Sequence, residues 1–245
     1  MLKFCLRKSV LTALISVTTL MSATAYSAVT LDRTRVIFPG TEKAVNVTIT
    51  NDNPSEAYLA QTWIEDMDGK KLTQGAIMAT PPLQRMEPKT NALIRLSTTP
   101  LLSSLPQDKE SVFYFNVREI PPRATESNTL QIALQSRVKL FYRPAAIVPE
   151  SETKWAQKVT LTKTANGYRI NNTTPFHLTV IGIGNSKALS ENSTFTTVMI
   201  PPKSSQDIVS GALSTPHISY INDYGGKPAL EFSCKGETCT VTGEK

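Results

Sequence analysis

Apolar and polar residues alternate along most of this chain, and a helical spacing of apolar positions hardly appears. Val45, Val47 and Ile49 alternate with Asn46 and Thr48. The run breaks at Asn51-Asp52-Asn53-Pro54 and resumes from Tyr58 to Glu65 around Trp63. Asn91 to Leu96, Val112 to Ile120 and Leu130 to Tyr142 continue the series, each bounded by Pro, Ser, Asn or Asp. Pro88, Pro100 and Pro106 fall between runs, where a missing N–H costs little. Strands at this spacing predict an all-β sandwich or barrel.

A second series follows Pro144-Ala145-Ala146: Val159 to Thr162, Tyr168 to Asn171, Leu178 to Ile183, Thr196 to Ile200, Ile218 to Asn222 and Ala229 to Cys234. Pro149 and charged neighbours interrupt the apolar pattern between Val148 and Thr153. That interruption predicts two domains, residues 28–148 and 149–245, each a sandwich of about 100 residues. No internal repeat is visible between them. Gly182-Ile183-Gly184 is not followed by a helix-like segment, so it is no dinucleotide-binding loop.

The first residues stand apart. Lys3, Arg7 and Lys8 precede an apolar stretch from Val10 to Leu20, and Ala25-Tyr26-Ser27 offers a small-x-small cleavage site. Residues 1–27 therefore read as a signal peptide, removed before Ala28. The apolar run falls short of the ~20 residues that span a bilayer, and no later segment is apolar enough, so no membrane insertion is expected. The formal charge is +6, but Lys3, Arg7 and Lys8 leave with the leader and no acidic residue goes with them. Half the excess is targeting, which removes support for a nucleic-acid partner.

Cys5 leaves as well. Cys234 and Cys239, with four residues between them, read in an exported chain as a disulfide, the alternative being a reduced pair. A zinc site is the weaker reading, because neither His177 nor His217 lies close in sequence. Both histidines belong to the second domain and neither sits beside an acidic or nucleophilic motif, so no catalytic triad is expected. His177, following Pro175-Phe176, reads as strand or turn. No metal and no cofactor is implied.

Leu130 to Tyr142 is the unusual segment. Leu130, Ile132, Leu134, Ser136, Val138, Leu140 and Tyr142 share one face, and Lys139 falls on the other. At ~3.3 Å per residue the run reaches ~40 Å, about twice the usual strand. It also follows a polar loop, Arg123 to Asn128. The plain reading is the last strand of the first sandwich. The sharper one adds that its first half protrudes as an apolar edge, a feature proteins avoid unless it adds a strand to a partner.

At this point the chain resembles the periplasmic chaperones of the chaperone–usher pathway, over essentially all of residues 28–245. The most specific stretch is Leu105 to Pro121. Leu31 to Arg35, Lys139 to Pro144 and Ser219 to Gly226 support it. The resemblance implies two immunoglobulin-like β-sandwich domains at an angle with a cleft between them, and a binding protein rather than an enzyme, working without ATP in the periplasm. Its partners would be pilus subunits, which are immunoglobulin-like folds lacking a strand, and an outer-membrane usher. Leu130, Ile132 and Leu134 match the donor strand that completes a subunit. Arg35 and Lys139 match the anchor for the subunit's C-terminal carboxylate, and Glu110, Arg143 and Asp223 match an ion cluster between the domains. Strict alternation puts Lys139 opposite the donor face, so a twist or bulge is expected between them. The main rival is a pilus subunit or adhesin, which would begin with an alternating donor segment; here Val29-Thr30-Leu31 opens the fold almost at the expected cleavage site. A secreted hydrolase is the more distant rival.

Overall fold

The computed structural model of the protein describes residues 28–124, 130–148, 155–192 and 194–244. The expected leader, most of the polar loop before Leu130 and the interruption at 149–153 lie outside the described residues. The chain forms two all-β domains, each around its own apolar core. Val36, Phe38, Ile49, Ile64, Phe115 and Leu140 are in the first; Leu161, Val180, Ile218, Tyr220 and Phe232 are in the second.

In the first domain, β1 (Val29–Leu31), β3 (Ala44–Asn51), β7 (Asn91–Thr98) and β5 (Ile77–Thr80) make one sheet. The other has the order β2 (Arg35–Pro39), β9 (Gln135–Arg143), β8 (Ser111–Ile120), β4 (Tyr58–Glu65), β6 (Leu83–Met86). The chain changes sheets between β1 and β2, and β2 then runs parallel to β9 with Arg35 opposite Lys139. Val36 and Phe38 turn inward to the core, leaving Arg35 and Ile37 on the outer face.

The second domain comprises β10 (Thr160–Thr164), β11 (Gly167–Asn172), β12 (Leu178–Gly184), helix α1 (Lys187–Glu191) and β13 (Val198–Ile200). β14 (Ser204–Val209), β15 (His217–Ile221), β16 (Ala229–Lys235) and β17 (Thr238–Glu244) complete it. Hydrogen bonds link its strands into one sheet, β13-β12-β15-β16-β17-β10-β11-β14. All eight strands feed a single core, so the sheet rolls over onto itself. α1, one turn capped by the Ser186 side chain, corrects the expectation that no helix follows Gly184. Cys234 and Cys239 face each other across the β16–β17 hairpin and are bonded.

One repeated device links the domains although their sequences differ. Asn51, at the end of β3, donates its buried amide to the carbonyls of Glu56, Met86 and Glu87. Asn172, at the end of β11, donates to those of Phe176, Ile200 and Pro201. In each case a proline follows three residues later and the next strand begins shortly after (Pro54 before β4, Pro175 before β12). A buried amide that satisfies three carbonyls ties a turn to its neighbours, since each of those groups would otherwise be stranded away from water.

Candidate functional site

β9 begins at Gln135, five residues later than the sequence pattern suggests. Leu130 to Leu134 precede it outside any sheet, with Leu130, Ile132 and Leu134 exposed to 85%, 64% and 43%. The Glu119 N–H donates to the Leu134 carbonyl at 3.0 Å, extending the β8 ladder by one rung. Among the described residues, the main chain of 130–133 makes no hydrogen bond to the rest of the protein. The alternation continues through both parts because periodicity records which way side chains point, not whether a neighbouring strand exists; the first half protrudes, as the sharper reading expects, but is not itself paired strand.

Downstream, β9 pairs with β8 from Gln135 to Tyr142 without a register shift, so no bulge separates the apolar face from Lys139. The expected bulge is therefore not found within β9. On its other side β9 meets β2 only from Lys139 to Arg143. Among the described residues, Gln135 to Val138 thus have one edge of main chain open, and that edge stops at the Arg35–Lys139 pair.

The basic residues on this outer face divide into two kinds. Arg137 donates to Glu65 at 2.8 Å and stacks 3.3 Å from the Tyr114 ring centroid, and Arg143 is fully paired. Arg35 and Lys139 have no carboxylate within ion-pair distance among the described residues. Arg35 Nη1 donates to the Ile221 carbonyl at 3.3 Å, and its buried Nε has no hydrogen-bond partner among the described residues. Burial pulls the Arg35 pKa down against the opposing pull of Asp223 and Glu110. Burial, then repulsion from Arg35, pulls Lys139 down. Two adjacent, partly desolvated cations with no carboxylate beside them among the described residues favour an anionic group.

Arg143 closes β9 and joins the domains. Its Nε donates to Glu110 at 2.6 Å, and its two terminal nitrogens donate to the Asp223 carboxylate at 2.5 and 2.6 Å. Burial opposes the Arg143 charge, but the bonds and charges of Asp223 and Glu110 outweigh it and raise its pKa. His177, which carries no signal in the sequence, joins this cluster: its backbone N–H donates to Glu110 at 2.8 Å and its ring Nδ1 lies 3.0 Å from the same oxygen. His217 Nε2 likewise lies 3.8 Å from Glu231. Each histidine therefore meets a carboxylate that is remote in sequence, so no local motif could have signalled it. Neither ring hydrogen-bonds a hydroxyl or thiol among the described residues. Glu110 N–H to the Pro175 carbonyl and Lys203 to Asp108 add further links between the domains.

Comparison with known proteins matches residues 28–148 to the family described as pili and flagellar-assembly chaperone, PapD N-terminal domain. Residues 154–232 match the pili assembly chaperone PapD, C-terminal domain. The chain is 51% identical over 240 residues to the chaperone protein PapD of Escherichia coli, covering 98% of this chain and 100% of that protein. It is 41% identical over 230 residues to the probable fimbrial chaperone YfcS of Escherichia coli (strain K12), covering 92% of each. Among solved structures, the periplasmic chaperone SfaE matches with a TM-score of 0.65 and 32% identity, over 81% of this chain and 95% of that one.

Proposed function

The chain belongs to the PapD family of pilus-assembly chaperones, and from that premise we propose that it completes pilus subunits in the periplasm by lending them residues 130–138. The observation that carries this reading is the open edge of β9, led by three exposed apolar side chains and ended by two unpaired cations. A subunit lacking one strand has an open groove. Leu130, Ile132 and Leu134 enter it, each contributing about 1.5–3 kcal/mol of burial, offset in part by lost rigid-body freedom and ordering. Main-chain hydrogen bonds along the edge supply the remainder.

The polarity follows from the cap. β2 blocks the edge beyond Lys139, so a subunit strand ending there lies alongside 130–138 and runs in the same direction as β9. Its terminal carboxylate meets Arg35 and Lys139, where charge-assisted bonds contribute about 1.5–3 kcal/mol each. Donor side chains and anchor occupy opposite faces without conflict, because the first enter the subunit core while the second grips a chain end on the cleft side. Glu110, Arg143 and Asp223 hold the two domains in the orientation that presents this cleft. The protein acts as a binder without ATP or catalysis, reaches the periplasm through a leader cleaved before Ala28, and passes its subunits to an outer-membrane usher.

Co-expression with candidate subunits tests the reading. Arg35→Ala and Lys139→Ala should each abolish recovery of a co-purified subunit while the chaperone stays folded by circular dichroism. Wild-type recovery with either variant would sink the anchor.

A further inference from the structure

The anchor cation Arg35 belongs to the first domain, yet its described hydrogen bond reaches the second, at the carbonyl of Ile221. Ile221 ends β15 and leads into a tight loop, Asn222 to Gly226. That loop is braced internally. The Asn222 side-chain oxygen accepts from the N–H groups of Tyr224 and Gly226 at 3.1 and 2.8 Å, the Asn222 N–H donates to the Gly226 carbonyl at 3.0 Å, and the Gly225 N–H donates to the Asn222 carbonyl at 3.1 Å. These bonds tie both ends of the loop to Asn222.

The loop rests on the first domain at Gly225. A Cβ on that residue would lie 2.4 Å from Thr34 Oγ1 and 3.6 Å from Thr34 Cβ, and Thr34 immediately precedes Arg35. Gly225 also has φ of +82°, where side chains other than Asn and Asp are strained. With no side chain at 225, the loop seats directly on Thr34 and delivers the Ile221 carbonyl to the guanidinium.

We propose that Gly225 is a positioning residue for the carboxylate anchor: its contact with Thr34 sets the loop height that aims Arg35 through Ile221, so the second domain orients a cation of the first. The proposal rests on the reading of Arg35 as the anchor, and goes beyond it by making client recognition depend on one backbone contact across the cleft.

The test uses the mature full-length chain and a synthetic peptide of alternating apolar and polar residues, made with a free C-terminal carboxylate and as the C-terminal amide. Gly225→Asn keeps a residue tolerant of positive φ but adds a Cβ. It should lower affinity for the acid about tenfold and leave amide binding unchanged, with an unaltered melting temperature. Adding Thr34→Ala, which removes the obstructing Oγ1, should restore the preference for the acid. Loss of affinity for both peptides alike, or no rescue by Thr34→Ala, overturns the positioning role. If Arg35→Ala keeps the wild-type preference for the acid, the anchor reading falls and this proposal with it. If Arg35→Ala loses that preference and Gly225→Asn does not, only the positioning role falls.

Discussion

The last strand of each domain carries main chain that its own sheet does not fully use. Among the described residues, β9 lacks a second neighbour before Lys139, and β17, paired with β16 along its length, meets β10 only from Thr238 to Thr240. Their side chains behave differently. Beyond Thr240, Val241 packs against the core, Thr242 donates to the Glu231 carbonyl, and Glu244 accepts from the buried Tyr220 hydroxyl. Before Gln135, by contrast, the alternating apolar residues extend past the end of their own core into solvent. Unpaired backbone alone therefore does not make a donor. A strand recruits a partner when its inward-facing side chains also lack a core.

Ile132→Glu should produce the largest effect on that contrast. It leaves the β9 backbone intact but sends a carboxylate into the subunit groove, and subunit affinity should fall by about 4 kcal/mol, roughly a thousandfold, in a titration of purified components. Retained affinity would mean that backbone pairing alone suffices. The next effect lies in the second domain: replacing Cys234 and Cys239 together by Ser releases a small loop, and should cost about 2 kcal/mol in denaturant unfolding while leaving subunit affinity unchanged. Weaker subunit binding in that variant would show that β17 shares in the donor's work.

The smallest effect is a pH dependence. Burial and Arg35 make Lys139 release its proton below the 10.5 of an ordinary lysine. A bound carboxylate favours the protonated form, so the complex holds that proton more tightly than the free protein does. Affinity should accordingly decline as pH climbs through the lowered value, and Lys139→Arg should flatten the decline. In the free protein the sign is reversed: the unfolded chain holds this proton more tightly, so the contribution of Lys139 to stability rises over the same range. A flat affinity profile for the wild type in alkaline buffers would separate Lys139 from the anchor.

The sequence resolves strands with strong alternation and passes over several short or polar ones. β4 runs from Tyr58 to Glu65 as the alternation predicts, and β8 differs from its prediction by one residue. β5 and β6 are four residues each, divided by Pro81-Pro82, too short for a period to show. β14 reads Ser-Ser-Gln-Asp before its first apolar residue, and the pairing that defines it, with β11, is distant in sequence. β2 was missed for the same reason: its five residues gain meaning only from the parallel partner that sets Arg35 beside Lys139. Motif resemblance supplied Arg35, Lys139 and the ion cluster. It could not supply His177, Ile221 or the seat of Gly225 on Thr34, because each is a contact across domains between groups with no shared local pattern.

The point where β2 joins β9 gives the open edge a fixed stop. On the proposed anchoring of the terminal carboxylate at Arg35 and Lys139, a subunit chain threaded along it would be measured from its last atom, so length would be read as well as composition. One residue appended to a subunit's C-terminus should invert which side chains face the donor and prove more harmful than two, which restore the parity and merely displace it by a step. A tag series of one, two and three residues on a single subunit would reveal that odd–even signature.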